Sequence, residues 1–186
     1  NIRHSNLKWR ENKKGTILIA KLSSILSNVI PDKIVSCSKI AKEIHAKIGY
    51  NKNKIKVIPN GFDILEFDQK KYNKLELYDE LDIPYDNFTI GMVGRYNPQK
   101  DYKNLINAVS LLKEKDTELF NNTTFIICGK NVDENNLELI SYLKEKNIEA
   151  KFKLLGRRND IAKIMASLDL FTLSSSFGEG FPNVIG

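Results

Sequence analysis

Apolar strands and amphipathic helices alternate regularly in the second half of this chain. Four short and mainly apolar runs are separated by longer segments whose apolar residues recur at helical spacing. Such strands are typical of parallel sheets, because a strand that is buried on both faces is apolar along its whole length. The pattern therefore predicts an α/β fold, a parallel sheet with helices on both faces. The predicted strands are 88–93, 124–128, 152–155 and 169–173, and the predicted helices are 102–115, 134–146 and 161–168.

The first sixty residues show a shorter version of the same alternation. The spacing predicts helices over 16–30 and 39–48 and strands over 33–37 and 55–58. Ser38 is the expected N-cap of the second helix, Gly49 ends it, and His45 lies off its apolar stripe, so we expect that imidazole to be exposed. One face of the first helix carries Leu18, Leu22, Ile25, Leu26 and Val29.

Residues 63–87 are polar and irregular and predict a connector between two units, with a short helix near 75–81. Composition adds that the 186-residue chain, 41% hydrophobic and 28% charged, is an ordinary globular sequence. Because it starts with Asn1 rather than Met, we expect a piece of a longer protein.

Cys37 and Cys128 end short apolar runs without metal-ligand spacing, so we expect both thiols to lie in the core, as in a reducing compartment.

Positive charge is concentrated at the start of the chain. Residues 1–72 hold 15 Lys or Arg and 6 Asp or Glu, whereas residues 73–186 carry a small negative excess. This asymmetry fits attraction to anionic lipid headgroups or another polyanion, and it equally fits a solvated surface in a lysine-rich protein. No aromatic stacking pattern accompanies the lysines, so we expect no nucleic-acid partner.

The segments that follow the predicted strands carry the candidate chemistry. Three of the four begin with a glycine and a cation: Gly94 with Arg95, Gly129 with Lys130, and Gly156 with Arg157. Loops at the carboxyl ends of parallel strands share one edge of the sheet, and a helix start just after Lys100 adds its positive dipole end there. We therefore expect a phosphorylated ligand. The competing interpretation is that the glycines make tight turns and the cations cap helices.

These loops match neither the dinucleotide fingerprint nor the nucleotide-binding P-loop. They also lack an Asp-x-Asp pair, so we expect binding without a metal or another cofactor. Glu179 stands between Gly178 and Gly180 and is suited to accepting hydrogen bonds from sugar hydroxyls, although a surface acid in a flexible loop would look the same.

Four segments together resemble the group 1 (family 4) retaining glycosyltransferases in order and spacing. They are Val57-Ile58-Pro59-Asn60-Gly61-Phe62-Asp63, Gly91-Met92-Val93-Gly94-Arg95 with Lys100 five residues later, Leu154-Leu155-Gly156, and 174–184 with its Gly-Glu-Gly-Phe-Pro-Asn core. The resemblance runs from about Ile34 to the last residue. It implies a GT-B architecture of two Rossmann-like domains, here incomplete, and metal-independent transfer of a sugar from a nucleotide-sugar donor with retention of configuration.

The resemblance also implies domains and roles. Residues 1–66 would end the acceptor domain, and 68–186 would form most of the donor domain. The implied catalytic residues are Arg95, Lys100 and Glu179. Arg95 and Lys100 would stabilise the leaving diphosphate, and Glu179 would lie near the transferred sugar. The donor-binding residues would be Gly94, Gly129, Gly156, Arg157, Gly180, Phe181, Pro182 and Asn183.

The sequence departs from the family pattern at its end, since the second glutamate of the motif would occupy position 187. We therefore expect these 186 residues alone to bind donor weakly and to turn over little. The implied acceptor is a glycan or a lipid-linked sugar of polysaccharide or lipopolysaccharide biosynthesis, and the implied location is the cytoplasm, with peripheral contact at the inner membrane face. The alternatives are a non-catalytic nucleotide- or phosphate-binding module and a basic domain that contacts membrane or nucleic acid.

Overall fold

The computed structural model describes residues 2, 7, 12–179 and 182–185. The chain divides into two compact units, Asn1–Phe62 with Phe177–Gly186, and Asp63–Ser176. The predicted connector thus belongs to the second unit, where its helix is packed in place. The functional roles predicted for 1–66 and 68–186 stay predictions.

The first unit contains two helices and two short parallel strands. Its elements are α1 (Lys14–Leu26), β1 (Ile34–Ser36), α2 (Lys39–Lys47) and β2 (Ile55–Val57). Ile34 of β1 pairs with Ile55 of β2, and Ile2 forms a parallel bridge to Ser36. Ile2, Ile34 and Ile55 form a small apolar cluster against Tyr50.

Helix α1 packs on its own unit with the side that carries Ile17 and Ser24. Ile17 and Ser24 are its buried residues. By contrast, the predicted apolar face is exposed, with 54% of Leu22 and 68% of Ile25 accessible to solvent. The helix was therefore predicted, but it ends at Leu26, four residues before the predicted end, and its apolar face lies at the surface of the unit.

His45 is buried in α2, and the expectation of an exposed imidazole was wrong. The residue is only 2% exposed, its Nδ1 lies 2.8 Å from the carbonyl oxygen of Ala41, and the ring meets Tyr50 edge to face. Ala41 is buried too, whereas 54% of Ile40 is exposed. The helix therefore turns the 41/45 side inward, because residues four apart share a face. The Ser38 hydroxyl caps α2 as predicted, accepting from the Ala41 N–H at 3.1 Å.

The second unit is built on a four-stranded parallel sheet, as the apolar runs predict. Its order is β5-β4-β3-β6, so the chain steps outward from β3 and then returns to the other side of it. All six residues of β4 are buried. The elements are α3 (Lys74–Leu81), β3 (Phe88–Val93), α4 (Tyr102–Lys115), α5 (Thr117–Asn121), β4 (Thr123–Cys128), α6 (Leu137–Glu145), β5 (Phe152–Leu154), α7 (Ile161–Ala166) and β6 (Leu170–Phe171).

The starts of α6 and α5 differ from the sequence pattern because side chains in the loops cap these helices. Asn136 Oδ1 accepts from the Leu139 N–H at 3.1 Å, so α6 begins three residues later than predicted. Asp116 accepts from the Leu119 N–H at 2.9 Å and starts α5, which the apolar spacing did not predict.

The two cysteines differ in environment. Cys128, at the end of β4, is fully buried, and burial raises the pKa of its thiol. Cys37 follows the last residue of β1 and is half-buried, so the expectation of a core thiol is confirmed for Cys128 and wrong for Cys37.

A charged network joins the start of β6 to the start of β3. Asp169 Oδ2 accepts from the backbone N–H of Thr89 at 2.8 Å and from its hydroxyl at 2.9 Å, while Lys74 Nζ lies 2.6 Å from Asp169 Oδ1. Burial acts to raise the pKa of Asp169, but the hydrogen bonds from Lys74 and Thr89 outweigh it and hold that pKa below the usual value. This network stabilises the pairing that brings β6 beside β3.

Candidate functional site

The loops after β3, β4, β5 and β6 lie at the same edge of the sheet, since all four strands are parallel. The strand order reverses at β3, whose neighbours are β4 on one side and β6 on the other. In open parallel sheets, ligands bind at such a reversal, outside the carboxyl ends of the strands. The predicted loops are therefore at the expected place for a site.

Three glycines connect the first three loops through their backbones. The Gly94 N–H donates to the Cys128 carbonyl, the Gly129 N–H to the Gly156 carbonyl, and the Gly156 N–H to the Val132 carbonyl, each at 2.8 Å. A Cβ atom on Gly129 would lie 1.9 Å from the Gly94 carbonyl oxygen, so only glycine fits there. These positions were predicted from sequence as donor-binding, and the structure brings them together.

Lys100 ends a one-turn 3₁₀ helix, Pro98–Lys100, in the loop after β3. The side chain of Asn97 caps this turn by accepting from the Lys100 N–H at 3.0 Å. The aliphatic part of Lys100 lies beside Gly94, since a Cβ atom there would be 3.3 Å from its Cδ and Cε. The half-buried Lys100 side chain therefore packs against the Gly94 backbone.

The start of α4 differs in one respect from the predicted anion site. Asp101 has a left-handed backbone, with φ of 47°, and its carboxylate accepts from the Asn104 N–H at 3.2 Å. One N–H of the helix end is therefore already bonded to a carboxylate. The next residue, Tyr102, donates its hydroxyl to the Gly94 carbonyl, and burial raises the pKa of that phenol, which keeps it protonated as a donor.

The arginines of these loops have different surroundings. Arg95 and Arg157 are exposed. Arg158 instead makes a two-pronged contact with Asp160, Nε to Oδ1 at 2.8 Å and Nη2 to Oδ2 at 2.6 Å, and its Nη1 lies 2.7 Å from Glu80 Oε1. The hydrogen bonds to Asp160 and Glu80 raise the pKa of the Arg158 guanidinium. Arg158 therefore serves the fold, and Arg157 is the one available to a ligand.

A cavity of about 460 Å³ lies beside the loop that carries Arg95 and Lys100. Burial, together with Glu138, raises the pKa of the Tyr96 phenol at this cavity to about 12. The Lys103 ammonium lies 3.4 Å from Glu138 Oε1, so these two charged side chains of the wall are paired with each other. The lining residues are Tyr96, Asn97, Pro98, Asp101, Tyr102, Lys103 and Glu138.

The last predicted site residues belong to the first unit. Glu179 and Pro182 are half-buried there, and Asn183 is exposed. The Asn60 amide donates to Asn183 Oδ1 at 2.6 Å, which joins two of the recognised sequence motifs. Residues 183–185 form a turn, with the Ile185 N–H donating to the Pro182 carbonyl at 3.0 Å. Gly180 and Phe181 lie outside the described residues.

The described part of the chain contains neither a metal-ligand cluster nor a membrane-spanning helix. Among residues 12–179 and 182–185, no three His, Cys, Asp or Glu side chains come together as ligands for a metal ion. Within the same ranges, no helix has the length and apolar character needed to cross a bilayer. Metal-independent binding stays a prediction.

The sequence analysis missed several residues that shape the site, and only one of them had a signal in the sequence. Asn97 before Pro98 is a recognisable capping pattern and could have been found. The bonds from Tyr102 to Gly94 and from Asn60 to Asn183 depend on tertiary structure, and nothing in the spacing indicates them.

Comparison with known proteins places these loops in a family. The family model described as glycosyl transferases group 1 matches residues 73–185. An Escherichia coli UDP-Gal:alpha-D-GlcNAc-diphosphoundecaprenol alpha-1,3-galactosyltransferase is 32% identical over 93% of this chain and 44% of its own length. A Campylobacter jejuni N-acetylgalactosamine-N,N'-diacetylbacillosaminyl-diphospho-undecaprenol 4-alpha-N-acetylgalactosaminyltransferase is 33% identical over 71% of this chain and 31% of its own length.

A solved structure shows the same fold. Anabaena Alr3699/HepE in complex with UDP-glucose superposes with a TM-score of 0.80 at 25% identity, covering 98% of this chain and 48% of that one. The present chain thus spans less than half the length of each of these three proteins. Its sheet and loops correspond to a GT-B glycosyltransferase fold, and the chain belongs to the group 1 glycosyltransferases.

Proposed function

We propose that the intact protein transfers a sugar from a nucleotide-sugar donor to a sugar carried on a polyprenyl diphosphate lipid, with retention of configuration. The observation that carries this proposal is the set of linked loops at the strand-order reversal, where Gly94, Gly129 and Gly156 join backbones beside Lys100. The printed names of two relatives support the substrate class, since both act on sugars attached to diphospho-undecaprenol.

The chemistry explains the choice of cations. Transfer breaks the bond between the anomeric carbon of the sugar and an oxygen of the diphosphate, and that oxygen takes the bonding electrons. Negative charge on the departing diphosphate is therefore greater in the transition state than in the bound donor. Arg95 supplies a planar fork of donors and Lys100 a compact positive charge, so both would bind the transition state more strongly than the substrate.

The remaining residues are assigned supporting roles. We assign to Glu179 the role of accepting hydrogen bonds from hydroxyls of the transferred sugar, and donor binding to residues 180–183, as the family resemblance implies. Gly156 and Arg157 hold the nucleotide base. What supports the last role is that Gly156 is tied to the Gly129 loop and that Arg157 is exposed, whereas Arg158 is already paired.

Retention and metal independence are parts of the proposal that have direct tests. With a donor whose sugar is α-linked to the diphosphate, retention means an α-linked product, which the anomeric coupling constant in proton NMR identifies. Full activity in the presence of excess EDTA is the expected result for a diphosphate neutralised by Arg95 and Lys100. A β-linked product would reject retention, and loss of activity in EDTA would reject metal independence.

A lipid-linked acceptor would place the protein at the cytoplasmic face of a membrane. The positive excess of residues 1–72 supports contact with anionic lipids there. Sedimentation with liposomes tests this contact: we expect more protein to bind vesicles that contain anionic lipid than neutral vesicles. Equal binding to both would contradict it.

Titration calorimetry with UDP, GDP and ADP, followed by transfer assays with the matching sugar nucleotides, tests the central proposal. We expect one nucleotide to bind and its sugar to reach a polyprenyl-diphosphate-linked acceptor. Binding without transfer by the intact protein would favour the non-catalytic nucleotide-binding module. Binding of none of the three nucleotides would reject both interpretations.

A further inference from the structure

We infer that Ser174 is a positioning residue for Lys100, an inference that rests on the proposed function of Lys100 as a ligand of the donor diphosphate. Ser174 lies in the segment after β6, on the side of β3 opposite to β4. Its hydroxyl donates to the backbone carbonyl of Lys100 at 2.6 Å. The residue connects the loop after β6 to the loop that holds the cation.

The backbone of Lys100 is bonded on both sides. Asn97 accepts from its N–H, through the side-chain oxygen at 3.0 Å and the carbonyl at 3.1 Å. Ser174 donates to its carbonyl, and the next carbonyl back, that of Gln99, accepts from the Ser176 N–H at 3.0 Å. Together with the packing of the Lys100 stem beside Gly94, these bonds determine the direction in which the side chain leaves the backbone.

The register of β6 brings Ser174 to this place. Leu170 pairs with Ile90 and Phe171 with Gly91, and the Thr172 N–H donates to the Gly91 carbonyl at 2.8 Å. Two residues later the chain reaches the Lys100 carbonyl. The Ser174 Oγ also lies 3.4 Å from Met92 Sδ, but sulfur is a weak acceptor and the single hydroxyl hydrogen goes to the carbonyl oxygen.

Such positioning matters because a lysine side chain has four rotatable bonds and contacts an anion as a point charge. A site that develops charge in the transition state gains most from cations that are already in place when the bond breaks. Loss of the Ser174 hydroxyl should therefore lower kcat more than it changes the KM for the donor.

The test compares Ser174→Ala with Ser176→Ala in the intact protein. The control removes the same kind of hydroxyl two residues away, but it keeps the backbone N–H that bonds to Gln99. Two properties are measured in each: hydrogen–deuterium exchange of a peptide covering 97–103, and kcat and KM for sugar transfer. UDP is the probe for nucleotide binding.

We expect Ser174→Ala to speed exchange in 97–103 and to lower kcat by about fivefold to tenfold, the effect of one lost hydrogen bond, with a smaller change in KM. Ser174→Thr, which keeps the hydroxyl, should restore both values toward wild type, and Ser176→Ala should match wild type.

Each other outcome overturns a specific claim. Unchanged exchange in Ser174→Ala shows that the bond does not hold the loop. Faster exchange with unchanged kcat shows a purely structural bond, and this too overturns the inference. A wild-type protein that neither binds UDP, GDP or ADP nor transfers sugar overturns the proposed function and the role of Ser174 with it. If the wild type is fully active and Ser174→Ala is equally active, the role of Ser174 is overturned and the proposed function stands.

Discussion

Gly129 and Gly94 meet backbone to backbone, so closely that a Cβ atom on Gly129 would lie 1.9 Å from the Gly94 carbonyl oxygen. Gly129 follows β4 and Gly94 follows β3, and Lys100 packs beside the latter. The approach of these two loops therefore sets the position of a cation that we assign to the donor diphosphate.

Gly129→Ala should disturb this approach, because the clash is with backbone atoms that cannot rotate away. We expect the free energy of unfolding to fall by about 3 kcal/mol, at the upper end of the cost of an overpacked site. Urea denaturation measures the loss. Gly15→Ala in α1 is the control, since its added Cβ atom would have nothing within 4 Å. Equal stability of the Gly129 and Gly15 variants would show that the two loops can separate without cost.

Arg95→Ala and Lys100→Ala should each lower kcat/KM for transfer by about 10² to 10³, the usual effect of removing one group that stabilises transition-state charge. Because Arg95 is exposed, the melting temperature of Arg95→Ala should stay near that of the wild type. Arg95→Lys should recover only part of the activity, since an ammonium lacks the two-pronged geometry of a guanidinium. Lys115→Ala, at the other end of α4, is the charge-matched control. Full activity in both alanine variants would exclude the proposed transferase mechanism.

Arg157 and Arg158 are neighbours with different predicted effects. Arg158→Ala should lower the free energy of unfolding by about 2 kcal/mol, because it removes charge-assisted hydrogen bonds to Asp160 and Glu80. Arg157→Ala should leave stability unchanged and raise the KM for the donor. Thermal denaturation and donor titration of the two variants separate these effects. The reverse assignment of effects would show that Arg157 serves the fold.

Asn60 and Asn183 should be energetically coupled. A double-mutant cycle of Asn60→Ala and Asn183→Ala should give about 1 kcal/mol of interaction energy, the value of one side-chain hydrogen bond. Asn60→Asp should keep most of it, because the Asn183 amide can rotate to donate to the new carboxylate. Asn53→Ala, another exposed asparagine of the first unit, serves as the uncoupled control. A coupling energy near zero would mean that the contact adds nothing to the stability of the unit.

The Asp169 network should make stability dependent on acid pH. The pKa of Asp169 is lowered in the folded protein, so its contribution is present above its ordinary value of 3.8 and is lost as the pH falls below that value toward the folded pKa. Asp169→Asn should destabilise the protein at pH 7 and flatten the decline of melting temperature below pH 4. Asp86→Asn, at an exposed aspartate of the loop before β3, should keep the wild-type profile. Parallel profiles for wild type and Asp169→Asn would show that another group controls the acid transition.

The parallel sheet of the second unit could be predicted because burial on both faces affects composition directly. Residues 124–128 are apolar or small, and all of β4 is buried. In the same way, the glycines at 94, 129 and 156 could be predicted as turns at the strand ends. Their role as points where backbones touch required the structure, since the sequence does not show that the Gly94 carbonyl lies under Gly129.

Helix faces were less predictable. The spacing in α1 correctly indicated one apolar face, yet the unit packs against Ile17 and Ser24 and leaves Ile25 exposed. In α2 the buried side includes His45, whose ring finds a hydrogen-bond partner in the Ala41 carbonyl. Periodicity tells which residues share a face, but the neighbouring elements decide which face is covered.

The sequence by itself determined the class of fold, the glycine and cation that follow three of the four strands, and the family. These properties are local or repeat at fixed spacing, so they are visible along the chain. Only the tertiary structure decides the strand order β5-β4-β3-β6, and with it the bond from Ser174 to Lys100 across 74 residues. Serine and asparagine are common in all loops, and which of them meet depends on the order in which the strands pair.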